Sequence, residues 1–160
     1  MNDTSDYKNL ILDFLNTIGI PYRSEELIED TFIPGIMIRK GVLIIDEFKL
    51  KHPGDILHEA GHIAIMTTAE RNTIEGNVQG LRAESYNDEL AAILWSYAAL
   101  KHLNLAPEIV FHPQGYKNES GWLIEQLESG NFIGLPLLVW MGLTTHDLFP
   151  KLNRWLRLDS

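Results

Sequence analysis

The chain has 160 residues, a length typical of one domain with its own hydrophobic core. Its 45% hydrophobic and 22% charged residues match the composition of globular proteins and argue against disorder. The net charge of −9 disfavours nucleic acid and anionic lipid as direct partners, and the lack of cysteine excludes disulfides, thiolate metal sites and cysteine nucleophiles.

The N-terminal segment MNDTSDYKNLILDFL lacks the basic start and the uninterrupted apolar run of a signal peptide. No apolar run in the chain approaches the roughly 18 residues that a membrane-spanning helix needs. We therefore expect a cytoplasmic protein with no membrane partner, built as a single domain over residues 1–160.

The first third of the chain predicts one helix followed by a small sheet. Helical spacing of apolar residues indicates an amphipathic helix over Tyr7–Ile18, and a short polar helix or turn is expected around Ser24–Asp30. Two β-rich runs, FIPGIMI and VLIID, flank a turn at residues 39–41 and predict an antiparallel hairpin over Ile33–Asp46.

The rest of the chain is predicted to be mainly helical, which makes the fold class α+β. A helix is expected to start near Pro53 and to run to about Thr68, and a polar loop is expected over residues 69–87. A long buried helix follows over Asn87–Leu103. Beyond it come a loop over residues 111–121, a helix near Trp122–Leu127 and an apolar stretch over residues 132–143.

The stretch GDILHEAGHIAI contains the motif H-E-x-x-H on a helix that otherwise appears buried. His58 and His62 are four residues apart, so their imidazoles lie on one helix face, close enough to share a metal ion. Glu59 points about 100° around the helix, where it could reach a water on the metal. Unpartnered polar groups are costly in a buried helix, so these three residues need a common partner.

A catalytic zinc needs three protein ligands and one open position, so the chain must offer a third ligand. By analogy with other His, His, Glu zinc sites, we select Glu89, at the start of the long helix. Small Ala91 and Ala92 beside it, with Gly61 on the motif helix, would permit close contact between the two helices. The alternatives are Glu84, Asp88, His102 and His112.

The sequence His58-Glu59-Ala60-Gly61-His62, followed by Glu89 on an Ala-rich helix, resembles the gluzincin-type metallopeptidases. Among them it is similar to the small cytoplasmic ImmA/IrrE family, over roughly residues 33–100. The resemblance implies a zincin-like domain with a metal-site unit over about residues 33–103. It also implies Zn²⁺ held by His58, His62 and Glu89, Glu59 as general base, and a regulatory protein as substrate, since known members cleave transcriptional repressors.

Other side chains are weaker candidates. His112 and Tyr116 could donate hydrogen bonds to the oxyanion formed during hydrolysis, or could be ordinary loop residues. Asp46 and Asp55 could hold the outer nitrogens of the ligand histidines, although Asp55 also suits a helix start. Aromatic residues are expected to anchor the core at Trp95, Tyr97, Trp122, Trp140 and Trp155.

The sequence therefore predicts a zinc peptidase in which Glu59 deprotonates a metal-activated water, with a protein or peptide as substrate. The alternatives are a non-hydrolytic zinc-binding sensor and a protein-interaction module that uses the acidic surface. Glu59 favours hydrolysis, because a structural zinc has no need of a base. In zincins an edge strand commonly pairs with the substrate, so one strand of the Ile33–Asp46 hairpin is expected to have a free edge beside the metal.

Overall fold

The computed structural model of the chain describes residues 4–28, 31, 33–73, 75–76, 86–115 and 119–158. Over these ranges the chain forms seven α-helices and a four-stranded sheet, which confirms the predicted α+β class. The helices are α1 Thr4–Ile18, α2 Gly54–Ala64, α3 Thr68–Thr73, α4 Tyr86–His102, α5 Pro107–Val110, α6 Ser120–Glu128 and α7 Leu135–Trp140, with a 3-10 helix at Pro113–Gly115. The strands are β1 Tyr22–Ser24, β2 Ile36–Arg39, β3 Val42–Ile45 and β4 Glu75–Gly76.

The sheet is built on the predicted hairpin. Strands β2 and β3 pair antiparallel, with Ile36 opposite Ile45. The turn residues Lys40 and Gly41 both have positive φ, as a two-residue hairpin turn of the favoured twist requires. Alternate residues of a strand share one face, and the face turned to the core carries Ile36, Ile38, Leu43 and Ile45.

Both edges of the hairpin have a neighbouring strand, which the sequence did not predict. Strand β1 pairs parallel with β3, and β4 pairs antiparallel with β2 at Ile38 and Arg39, giving the order β1-β3-β2-β4. The prediction of a free hairpin edge is therefore wrong. The two outer strands, YRS and EG, are too short for hydrophobic periodicity to reveal them.

Helix α2 lies inside the molecule, and all of its residues are buried. It contacts α1, α4 and α5. The approach of α4 is close because Gly61 has no side chain: a Cβ atom there would lie 3.0 Å from the carbonyl oxygen of Ala92 and 3.3 Å from the ring of Trp95. This contact confirms that small residues let the two helices meet.

The C-terminal segment holds the end of α2. The backbone N–H of Arg157 donates to the carbonyl of Ala64 at 3.0 Å, and its guanidinium donates to the carbonyl of Ile65 at 3.3 Å. The last carbonyls of a helix lack partners within the helix, so these bonds satisfy them. Trp95 Nε1 on α4 donates to the carbonyl of Trp155 at 2.9 Å. The same segment therefore fixes both α2 and α4.

The predicted helices agree well with α1, α4 and α6 and differ at α2. Helix α2 ends at Ala64 instead of Thr68, because Arg157 occupies the carbonyl groups that a further helical turn would use. Helix α3, which begins at Thr68, covers the first residues of the predicted loop over residues 69–87, and residues 74 and 77–85 of that loop lie outside the described residues.

The aromatic predictions divide into two groups. Trp95 and Tyr97 are buried in the core as expected, at 0% and 3% exposure. Trp122 and Trp140 are 55% and 72% exposed, so the prediction that they anchor the core is wrong. In α7, for example, Leu138 is buried, and the helical period places Trp140 on the other side.

Among the described residues, no helix has both the length and the apolar character that crossing a membrane requires.

Candidate metal centre

Two helices bring the predicted ligands together. His58 and His62 lie one turn apart on α2, and their ring centroids are 5.0 Å apart. Glu89 lies in the first turn of α4. Because Gly61 and Ala92 allow α4 to pack directly against α2, the carboxylate of Glu89 reaches the two imidazoles.

Glu89 contacts both histidines through different oxygens. His58 Nε2 lies 3.1 Å from Glu89 Oε1, and His62 Nε2 lies 3.0 Å from Glu89 Oε2. One possible ligand atom from each of the three residues lies within 4.8 Å of the others. Within the described ranges, this is the one group of three histidine, aspartate or glutamate side chains with that geometry.

The centre is closed at the histidines and open at the carboxylate. The side chains of His58 and His62 are 5% and 3% exposed, whereas that of Glu89 is 32% exposed. Burial alone would lower the pKa of His58, but the hydrogen bond and negative charge of Glu89 leave it raised. Burial opposes ionisation of Glu89, but His58 and His62 hold its pKa far below the ordinary value. Glu89 is therefore ionised, as a ligand for a cation must be.

Glu59 lies beside the ligands on α2 and is 4% exposed. Among the described residues, its Oε1 atom has no hydrogen-bond partner. Burial raises the pKa of this carboxyl, although the nearby His62 and His58 act in the opposite direction. A buried carboxylate oxygen without a partner is costly, so this atom is suited to a group that enters the centre.

The donor set fits a zinc ion. Imidazole nitrogen and carboxylate oxygen are common zinc ligands, and donors at about 2.0–2.2 Å from one tetrahedral ion lie roughly 3.3–3.6 Å from each other. One possible ligand atom from each of His58, His62 and Glu89 lies within 4.8 Å of the others, so the three side chains could share one ion. Three protein donors also leave a fourth position open, which is the arrangement of catalytic zinc sites.

The alternative third ligands do not join this group in the described residues. His102 lies at the far end of α4, where its ring packs against Phe14 at 5.5 Å and Trp155 at 5.3 Å. Asp88 and His112 are not part of the group. Glu84 lies outside the described residues. Among the residues that can be compared, Glu89 is the one placed to share an ion with both histidines.

His112 belongs to a second polar cluster, at the start of α2. Its Nε2 atom lies 2.6 Å from Asp55 Oδ1, and its ring stacks on His52 at a centroid distance of 3.8 Å. His52 Nε2 in turn lies 2.7 Å from Gln114 Oε1. The oxyanion-binding role of His112 stays a prediction, and Tyr116 lies outside the described residues.

The two aspartates expected to hold the ligand histidines bind other groups. Asp46 accepts hydrogen bonds from backbone N–H groups, among them that of Leu27 at 2.9 Å. Asp55 contacts His112. His62 Nδ1 is buried without a hydrogen-bond partner among the described residues. Asp46 and Asp55 therefore contact groups other than His58 and His62, and Asp55 lies in the first turn of α2, as the alternative of a helix start expects.

Two features near the centre were missed from the sequence. One is His52, whose ring stacks on His112. The other is an apolar cavity that adjoins Glu89 and is lined in part by Trp122 and Ile133. Both features join segments that are far apart in the chain, so local spacing carried no direct signal for them.

The likeness to gluzincin-type peptidases is carried by the H-E-x-x-H motif and by Glu89. The geometry adds that His58, His62 and Glu89 meet at one point. No family model, no curated protein and no solved structure matches the chain, so the likeness remains a prediction from these residues.

Proposed function

We propose that the protein is a zinc-dependent peptidase with a zincin-like active site. The observation that carries this proposal is the meeting of His58, His62 and Glu89 within 4.8 Å, beside a buried Glu59 with one oxygen that no described residue contacts by a hydrogen bond. Structural zinc sites are usually closed by four protein ligands and need no base. Three ligands, an open position and a buried carboxylate together favour hydrolysis.

In this proposal His58, His62 and Glu89 hold the ion. A bound zinc supplies Lewis acidity toward a carbonyl oxygen and lowers the pKa of a water molecule. Glu59 accepts the proton of the attacking water at Oε1, which has no hydrogen-bond partner among the described residues, and then returns the proton to the leaving amine nitrogen.

The exposure of the ligands sets the direction of substrate approach. His58 and His62 are nearly inaccessible, while about a third of Glu89 is exposed, so the substrate enters on the side of α4. The net charge of −9 favours encounters with positively charged proteins. On the resemblance stated above, transcriptional regulators are the first substrates to examine.

The test compares the protein with its Glu59→Gln variant in a lysate of its source cells, with new peptide termini identified by mass spectrometry. Glutamine keeps the size of the side chain and removes its basicity. We expect cleavage to fall by roughly 10²–10⁴-fold, the usual contribution of a general base. Zinc content should stay near about one ion per chain, because Glu59 is not a ligand.

Glu108→Gln is the matched control. Glu108 is an exposed glutamate of α5 and is neither a proposed ligand nor the proposed base. It should give the same termini as the unmodified protein. Identical termini from the unmodified protein and Glu59→Gln, in a lysate that a known zinc peptidase does cleave, would contradict the proposal. That result would favour the alternative of a non-hydrolytic zinc-binding sensor or interaction module.

A further inference from the structure

The end of helix α2 carries one of the candidate metal ligands. The helix ends at Ala64, two residues after His62, whereas His58 lies in the middle of the helix. The last turn of a helix has backbone carbonyls without partners inside the helix, and it frays more easily than the middle. The position of His62 therefore depends on the groups that hold this turn.

Two arginines from other parts of the chain hold the end of α2. The backbone N–H of Arg157 donates to the carbonyl of Ala64 at 3.0 Å, and its guanidinium donates to the carbonyl of Ile65 at 3.3 Å. The guanidinium of Arg71, on α3, donates to the carbonyl of Met66 at 2.8 Å and to that of Arg157 at 2.9 Å. Three successive carbonyls thus accept hydrogen bonds from two arginines, whose positive charges also suit the negative end of a helix.

The imidazole of His62 lacks the support that a metal-binding histidine usually has. The outer ring nitrogen of such a histidine is generally bonded to a carboxylate, a carbonyl or a water, which fixes the orientation of the ring. His62 Nε2 lies 3.0 Å from Glu89 Oε2, whereas its Nδ1 atom is buried without a hydrogen-bond partner among the described residues. Within those residues, the orientation of the ring is set by packing and by the backbone of the last turn.

We propose that Arg157 is a positioning residue of the metal centre, which fixes the imidazole of His62 by holding the last turn of α2. The inference rests on the zinc site of the proposed function, and Arg157 acts through the backbone of α2 instead of on the ion. Arg157 is 9% exposed, and its guanidinium lies over the ring of Trp140 at 4.8 Å, so its side chain is itself held in place. The C-terminal segment thereby becomes part of the metal centre.

The test measures metal binding by Arg157→Met. Methionine is a long side chain that cannot donate a hydrogen bond, so the bond to Ile65 is lost while the backbone bond to Ala64 can persist. We expect zinc affinity, measured by competition with a chromophoric chelator, to fall by about 10–100-fold, the usual cost of losing a group that supports a ligand. The visible absorption of the Co²⁺-substituted protein should change as well, because it reports the ligand geometry. Arg157→Lys keeps the charge and a donor and should recover part of the affinity.

Arg154→Met is the matched control. Arg154 is an exposed arginine of the same segment and, among the described residues, makes no hydrogen bond to α2. Its replacement should change zinc affinity by less than about twofold, as is usual for surface substitutions. Circular dichroism of the metal-free proteins verifies that each variant is folded. If Arg157→Met does not fold, Arg71→Met removes the bond to the carbonyl of Met66 and should weaken zinc binding in the same direction.

A double-mutant cycle separates positioning from a general loss of stability. In the His62→Ala background the imidazole that Arg157 positions is absent, so Arg157→Met should weaken zinc binding by less than about threefold further. In the His58→Ala background its effect should remain about tenfold or more. A purely structural arginine would lower the affinity equally in both backgrounds.

Equal effects in the two backgrounds would overturn the inference, as would an unchanged affinity and Co²⁺ spectrum in both Arg157→Met and Arg71→Met. Absence of zinc binding by the unmodified protein would overturn the zinc site and the inference together. Zinc binding that depends on Arg157, combined with cleavage products that do not depend on Glu59, would support the inference and contradict the peptidase proposal alone.

Discussion

Two buried carboxylates of this protein, Asp46 and Glu59, have opposite surroundings. Asp46, which follows β3 and is 3% exposed, accepts hydrogen bonds from the backbone N–H groups of Leu27 at 2.9 Å and Phe48 at 3.1 Å. The bond from Leu27 is the main reason that its pKa is lowered. Glu59, 4% exposed on α2, keeps an oxygen without a partner among the described residues, and its burial raises its pKa.

The difference separates a carboxylate with structural partners from one for which we propose a catalytic role. Asp46 joins the segment after β1 to the turn after β3, and its own chain supplies the donors it needs. Glu59 lies beside His58, His62 and Glu89, and no described residue donates a hydrogen bond to its Oε1 atom. Buried polar groups are almost always paired, so an incomplete one indicates a partner beyond the described residues.

The largest expected effect is on metal binding by Glu89→Ala. This substitution removes one of the three proposed ligands and its negative charge. We expect zinc affinity to fall by at least about a hundredfold, since losing a residue that merely supports a ligand costs roughly 10–100-fold. Competition with a chromophoric chelator measures it. Asp46→Asn, in the other buried carboxylate, should leave affinity unchanged, and an unchanged affinity in Glu89→Ala would place the third ligand elsewhere.

A second substitution disturbs the surroundings of Glu59 and spares those of Asp46. A Cβ atom at Gly61 would lie 3.0 Å from the carbonyl oxygen of Ala92. Gly61→Ala should therefore lower the free energy of unfolding by about 1–3 kcal/mol and weaken zinc binding, because α4 must move away from α2. Urea denaturation measures the change.

Gly121→Ala is the control for Gly61→Ala. Gly121 also lies on a helix, and a Cβ atom there would have no heavy atom within 4 Å beyond its immediate surroundings. Alanine should be neutral or stabilising at that position, since it favours helix more than glycine does by up to about 1 kcal/mol. Equal stability of the two variants would contradict the close approach of α2 and α4.

The central part of the candidate site could be predicted because one helix determines it. The i, i+4 spacing places His58 and His62 on one face of α2 whatever the rest of the fold does. The hairpin of β2 and β3 was also predictable, since its β-rich runs flank a glycine-containing turn. These features depend on residues that are close in the chain.

Features that depend on distant residues were not predictable. Strands β1 and β4 have three and two residues, and each exists through pairing with the hairpin. The partners of Asp46 and Asp55 follow from the arrangement of separate segments, so local spacing assigned them to the wrong neighbours. Trp122 could not be placed at a cavity until the packing of α4 against α6 was known.

Thermal stability of the metal-free protein should distinguish the two carboxylates directly. In Asp46→Asn, one carboxylate oxygen becomes an NH₂ group that faces a backbone N–H, so the melting temperature should fall by several degrees. In Glu59→Gln a buried carboxylate without a full set of partners becomes a neutral amide, and the melting temperature should not fall. Calorimetry at neutral pH measures both. A loss in Glu59→Gln as large as that in Asp46→Asn would show that Glu59 is structural.

The smallest expected effect is the acid dependence of the contribution of Asp46. Its pKa in the folded protein is below the ordinary value of 3.8, so the ionised form stabilises the fold. That stabilisation is fully present above the ordinary pKa and is lost as the pH falls through the lowered one. The difference in melting temperature between the unmodified protein and Asp46→Asn should thus be constant from about pH 7 to pH 5 and shrink below about pH 4.

Glu47→Gln is the comparison, because Glu47 is an exposed neighbour whose pKa is lowered mainly by Lys8. Its effect should have the same sign and be smaller, since water and salt screen an exposed ion pair. A difference for Asp46→Asn that grows toward acid pH would mean that the Asp46 carboxylate destabilises the fold, and the contrast with Glu59 would fail.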